Sequence, residues 1–204
     1  MRGAVFAAAF VLAAASNALA APDAHDQPFV DGAKDSKVHS ASGFVCPLKI
    51  GQFERDAAGQ ADQQSGADFC AYSALDGVYG TITLTPLTGT YDARSSLADD
   101  FAVQAGTGGK QVAEGVVKLA PLEIFTRSYE TSRLADLHYR VLYAGAAVGN
   151  WAVETTIEYA EPRDNTDQRD FLEAVYRAAS AEIASPSAAS PPDEPRVAPA
   201  PGPR

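Results

Sequence analysis

A catalytic signature is the first thing missing from this 204-residue chain. There is no Gly-x-Ser-x-Gly nucleophile turn, no His-Glu-x-x-His pair and no spaced Asp/Glu/His cluster, so neither acyl transfer nor metal-assisted hydrolysis is written in its motifs. Gly106-Thr107-Gly108-Gly109-Lys110 stops short of a phosphate loop, because Gln104 stands where the first glycine belongs and Gln111 where Ser or Thr should follow the lysine. Asp164 and Asp167 do not have the spacing of a calcium loop, and helix capping accounts for them. No metal site and no cofactor is expected.

Cysteine is nearly absent too. Cys46 and Cys70 stand alone, with no Cys-x-x-Cys, and neither has the cationic surroundings of a reactive thiol. An even pair in an exported chain suggests a disulfide. If residues 49–56 and 68–75 form a simple hairpin, the two are not opposite each other. The chain before Pro47 must then fold back across the sheet to bring their Cα atoms within about 7 Å. Basic residues are outnumbered: Lys and Arg total 16 against 26 Asp and Glu, a net charge of −10. Such a balance disfavours nucleic acid and anionic membrane surfaces as partners.

Long apolar runs are confined to the start. Arg2, the small apolar run Ala4–Ala15 and Ala18-Leu19-Ala20 read as a signal peptide over 1–20, cleaved near Ala20, with no cysteine at the cleavage point for a lipid anchor. The mature chain is expected in the periplasm or outside the cell, with no stable membrane insertion. Residues 21–42, which hold His25 and His39, are polar and mixed and read as a disordered leader. At the other end, 185–204 carries seven prolines and reads as a disordered Pro/Ala-rich tail.

What is present is a β-rich domain over 43–184, organised around Leu137–Tyr159. Leu137, Tyr139, Val141 and Tyr143 alternate, and after a small-residue turn Trp151, Val153, Thr155, Ile157 and Tyr159 alternate again, as paired strands do. A two-residue Gly149-Asn150 turn would set Leu142 opposite Ile157 and Val141 opposite Glu158, mixing the faces. A three-residue loop Ala147-Val148-Gly149 sets Tyr143 opposite Val153 and Tyr139 opposite Ile157, gathering the large apolar groups on one face, and is preferred. It also places His138 opposite Glu158, with Arg140 diagonal to Glu154 and Glu158.

Earlier in the chain, 49–55, 68–75 and 79–87 read as strands and 57–67 as a polar loop. A helix follows, capped by Ser95 or Ser96, with Leu97, Phe101 and Ala105 at helical spacing and Gly106 to end it. Residues 111–119 suit either a strand or a short helix. Residues 122–131 form a strand with Phe125 and Tyr129 on one face and Ile124 on the other. The last helix runs from Thr166 to Ile183, with Asn165 as its cap, Gln168 near a capping box, and a stripe of Phe171, Leu172, Val175, Tyr176, Ala179 and Ile183. The class is α+β: an antiparallel six- to seven-stranded sheet with two amphipathic helices, in the order βββ-α-(β)-βββ-α.

The entry Gly43-Phe44-Val45-Cys46-Pro47, the helix Ser96–Ala105 after the third strand, and the final pair of strands closing into Asn165–Ile183 resemble the PsbP-like α/β/α sandwich over the predicted domain. That resemblance implies a non-enzymatic accessory or binding role; it assigns no functional residue, and a Cys46–Cys70 bridge departs from it. Two functions are therefore weighed. One is an exported, non-catalytic accessory protein binding a protein or small ligand, with Tyr139, Tyr143, Trp151 and Tyr159 as candidate groove residues or ordinary core. The other is a small hydrolase in which Glu158 orients His138 as general base, against which His138, Arg140, Glu154 and Glu158 can equally form a cross-strand charge ladder.

Overall fold

The structure is a computed structural model that describes residues 27–75, 78–134, 137–160 and 166–183. The proposed signal peptide, the Pro-rich tail, Asp164 and Asn165 lie outside the described residues. Within them, eleven strands form two sheets, with three α-helices.

Strands β1 (Phe29–Asp31), β2 (Lys37–His39) and β3 (Val45–Cys46) make a small antiparallel sheet. Residues 27–42 are thus not a disordered leader. Their strands are too short to show periodicity, and long-range contacts hold them. Arg55 reaches the Asp35 carbonyl at 2.7 Å and the Cys46 carbonyl at 2.5 Å, and Tyr72 Oη donates to Pro47 O at 3.1 Å.

The main sheet has eight antiparallel strands, in the spatial order β4 (Lys49–Ile50), β5 (Phe53–Asp62), β6 (Ala67–Ala74), β7 (Val78–Pro86), β11 (Trp151–Ala160), β10 (Leu137–Val148), β9 (Leu122–Leu134), β8 (Lys110–Leu119). Two corrections to the expected strands follow. Most of the expected polar loop after Arg55 is the far half of β5, which pairs with β6 through two register shifts. The ambiguous 111–119 stretch is the edge strand β8. The sheet therefore has eight strands rather than six or seven.

The helix after β7 is also two pieces, so there are three helices rather than two. Asp92 caps α1 (Ala93–Ser96), its Oδ2 accepting from Ser95 N at 3.2 Å and from Ser95 Oγ at 2.6 Å, and the chain breaks at Leu97 before α2 (Ala98–Gly106). The cap is thus three or four residues earlier than the expected Ser95 or Ser96. Helix α3 spans Thr166–Glu182, and its six expected stripe residues are all buried.

Helices cover the sheet from both sides. Leu97 and Phe101 pack on Tyr129, Val141 and Tyr143, with Phe125 beside them. On the opposite face, Phe171, Leu172, Val175, Tyr176 and Ala179 of α3 pack on Ile82, Ile124, Ala144, Val153 and Ile157. The split of Phe125 and Tyr129 from Ile124 is as the alternation of β9 requires.

Burial of both faces decides the hairpin register. The observed turn is the two-residue Gly149-Asn150, with Val148 opposite Trp151, Leu142 opposite Ile157 and Val141 opposite Glu158. Gly149 has φ +57°, whereas Asn150 is not among the non-glycine residues with positive φ, a pattern that fits a type II′ turn. The three-residue loop is rejected because it solves the wrong problem. It collects apolar groups on one face, while this strand pair must supply apolar groups to two.

The disulfide joins Cys46 to Cys70, with Cα atoms 6.4 Å apart. The chain before Pro47 does fold back across the sheet: Cys46 lies on the small sheet and Cys70 on β6, both fully buried. Glu182 adds a second fastening, its Oε2 accepting from Val45 N at 2.7 Å. Among the described residues no helix is long and apolar enough to cross a membrane.

Candidate functional site

The register separates the residues proposed to act together. Glu158 aligns with Val141, and Arg140 aligns with Tyr159. His138 lies on β10 two residues before Arg140. Its side chain lies outside what is described. In this register Glu158 stands opposite Val141 rather than His138, and Glu154 and Glu158 are on the α1/α2 face while Arg140 is on the α3 face, which is not the expected diagonal arrangement. Glu154 has another partner there: Tyr91 Oη donates to its Oε1 at 2.8 Å.

The four aromatic candidates divide in the same way. Tyr139 and Tyr143 are on the α1/α2 face, and Trp151 and Tyr159 on the α3 face. Tyr143 is buried core. Burial pushes its hydroxyl above the ordinary tyrosine value, and Gln104 Nε2 donates to its oxygen at 2.8 Å. Trp151 meets the His39 ring edge-on, with centroids 4.9 Å apart. Tyr159 lines a groove.

His39, read from the sequence as part of a solvated leader, is 1% exposed and sits in a hydrogen-bonded chain. Its Nδ1 accepts from Ser42 N at 3.2 Å, so Nε2 carries the proton and donates to Asp68 Oδ2 at 2.9 Å. Ser42 Oγ donates to Nδ1 at 2.7 Å. Serine, histidine and aspartate in series resemble a hydrolytic triad, but the amides that would form an oxyanion hole are already spent. Phe44 N donates to Ser42 Oγ, and Gly43 N donates to His39 O. The ring is enclosed by Phe29 and Trp151. This arrangement locks a turn and fastens the small sheet to β6.

The groove that remains lies between the first half of α3 and strands β8–β10, with a volume of about 290 Å³. Apolar alternation on β8 and β10 and the α3 stripe supply Val117, Leu142 and Leu172 as its walls. Its polar groups are the hydroxyls of Thr126 and Ser128 on β9, the half-buried Arg140 on β10, and Gln168, Arg169 and Glu173 on α3. Gln168 is only 3% exposed, and both its amide oxygen and its amide nitrogen lack a hydrogen-bond partner among the described residues. Buried polar atoms are almost always satisfied, and leaving one unpaired costs about 1–3 kcal/mol. Glu173 is drawn along the helix to Arg177, with Oε2 3.4 Å from Nη2. Arg140 stands opposite Glu130 across β9 and β10, and Arg169 lies 3.9 Å from Asp170.

Sequence reasoning missed Gln168 as a site residue, treating it as near a capping box. A signal was there. Positions 168, 172, 175 and 179 fall on one helical face, and a glutamine occupies the first place of an otherwise apolar stripe. Among the described residues there is no group of three or more His, Cys, Asp or Glu placed to hold a metal ion. No protein-family model matches the chain, and comparison with curated proteins finds no match.

Proposed function

We propose that this protein is a non-catalytic binding or accessory protein of an oxidising, extracytoplasmic compartment, and that it takes a small ligand in the groove beneath the first half of α3. The observation that carries the reading is Gln168: a buried amide with both ends unpaired, lining a groove of ligand size. The Cys46–Cys70 disulfide supports the compartment, since such bonds persist where thiols are not kept reduced. The helix–sheet–helix layering supports the resemblance to the PsbP-like sandwich and the accessory role it implies. The hydrolase reading has less support, since Glu158 aligns with Val141 rather than with His138.

The test is ligand-observed NMR of the whole chain against a small-molecule extract of the cells that make it. Saturation transfer to one or a few species, lost in the Gln168→Leu variant, is the expected result. Absence of transfer to any species, or transfer unchanged by Gln168→Leu, overturns the reading.

A further inference from the structure

We infer that two copies of this chain associate through the outer edge of β8, antiparallel and centred on Val116, so that the main sheet continues from one copy into the other. The inference stands apart from the ligand groove. It rests on an open strand edge, on which backbone groups point outward, and on how the strand fits its own inverted copy.

The main sheet ends on β8, which pairs only with β9 among the described residues. An edge of this kind presents unpaired N–H and C=O groups, and proteins usually blunt it. The opposite end of the sheet is blunted. There β4 covers the start of β5, and register shifts at Arg55/Ala57 and Gln60/Asp62 interrupt the rest. Strand β8 has one shift, between Gln111 and Ala113, and from Ala113 to Leu119 its pairing is regular. Pro121 lies beyond that segment. Every residue from Lys110 to Val116 is exposed, Val116 to 56%.

The turn after β8 decides which groups are free. Leu119 stands opposite Leu122 across a two-residue turn, so Leu119, Val117, Gly115 and Ala113 bond inward to β9. Thr126 Oγ1 donates to Gly115 O at 3.3 Å, which puts that carbonyl on the β9 side as this pattern requires. The N–H and C=O groups of Glu114, Val116 and Lys118 therefore point outward.

An antiparallel partner must offer its own outward groups at matching places. A second β8, turned about a two-fold axis through Val116, does so. Val116 meets Val116, and Glu114 of each copy meets Lys118 of the other, so every outward group of these three residues finds a partner. On the other sheet face Ala113 and Gly115 receive Leu119 and Val117, small against large. Shifting the axis to a neighbouring residue leaves part of the regular segment unpaired. The hydrogen bonds alone would suit any extended peptide; the small-against-large fit over the whole segment is what selects a second copy. Charge does not stand in the way. Lys118 is paired with Glu123, and Glu114 is held by Arg94 and Arg127, so the excess behind the net charge of −10 is not presented at this edge.

The experiment is analytical ultracentrifugation of the whole, disulfide-bonded chain from about 1 to about 500 µM, a span suited to the weak association of a small interface. The expected result is a reversible monomer–dimer equilibrium. Val116→Pro removes an outward N–H and leaves the bonds to β9 intact, a change an edge strand tolerates. It deletes both hydrogen bonds at the axis and should weaken dimerisation about tenfold or more. The register has its own readout. Val116→Cys should form a disulfide-linked dimer on mild oxidation, because the two positions face each other across the axis. Val112→Cys, on the same strand but inside the register shift and away from the axis, should not. A monomer at every concentration overturns the inference. So does a dimer as tight with Val116→Pro as without it, or one that Val112→Cys cross-links as readily as Val116→Cys.

Discussion

Trp151, the first residue of β11, meets the His39 ring edge-on at 88°, with centroids 4.9 Å apart. This contact places an N-terminal strand against the central hairpin, and His39 Nε2 extends the link to Asp68 on β6. One buried side chain thus ties together three parts of the fold. Replacing it opens a cavity and strips Asp68, whose Oδ1 already lacks a partner among the described residues, of its remaining hydrogen bond. His39→Ala should destabilise by about 3 kcal/mol, read as a lower urea midpoint with an unchanged slope. A loss below about 0.5 kcal/mol would show that the small sheet is not fastened here.

Gln168→Leu should act in the opposite direction. It replaces an unpaired buried amide by an apolar group of similar size and should stabilise the ligand-free protein by about 1 kcal/mol while abolishing the ligand response. Differential scanning calorimetry reads the first effect and NMR titration the second. Destabilisation would mean that the amide is satisfied within the fold.

Gly80 lies under α3. A Cβ built there would come 2.8 Å from Cζ of Phe171, closer than packed carbons approach. Gly80→Ala should therefore cost about 1–3 kcal/mol by overpacking. The double variant Gly80→Ala with Phe171→Leu should be less destabilised than the sum of its single changes, a coupling that a double-mutant cycle by chemical denaturation measures.

The Cys46–Cys70 bridge closes a loop of sequence separation 24. On the chain-entropy account a loop of that size contributes about 3 kcal/mol. Replacing both cysteines by alanine should lower stability by that order. Added reductant should destabilise the parent protein and leave the variant unmoved.

Burial raises the Glu182 carboxyl above its ordinary value of 4.5, and the hydrogen bond from Val45 N opposes the rise only in part. An acid raised in the folded state is held more tightly as its protonated form. Its burial penalty is absent below 4.5 and grows as the pH rises through the folded value. Glu182→Gln keeps an acceptor for Val45 N without the charge. Its stability relative to the parent should be greater near neutral pH, and the difference should vanish below 4.5. Urea midpoints at several pH values check the sign.

The strands were legible where alternation ran for eight residues or more, as in Val78–Pro86 and Leu137–Tyr159, and so was the α3 stripe. The hairpin register was not, because Val141 and Ile157 are buried on opposite faces and a one-face criterion penalises the register that serves both. Residues 27–42 escaped notice for a different reason. Phe29 and His39 are buried by partners distant in sequence, and strands of three residues carry no period of their own. The groove stood in between. Its apolar walls follow from strand and helix periodicity, but Arg140 and Gln168 meet only once α3 is laid across β10, a tertiary fact that no local pattern encodes.

The hold of Glu182 on Val45 has a geometric consequence. Ile183 comes against Gly149 at the turn beside Trp151, and Trp151 meets the His39 ring edge-on, with Phe29 tilted against the same ring. The first and last of the described residues therefore lie at one end of the fold. Gln168 stands fifteen residues earlier on α3, about 22 Å away along the helix axis. A tether placed at Phe29 or Ile183 would hold the protein like a lamp on a stem, with the groove at the end away from it.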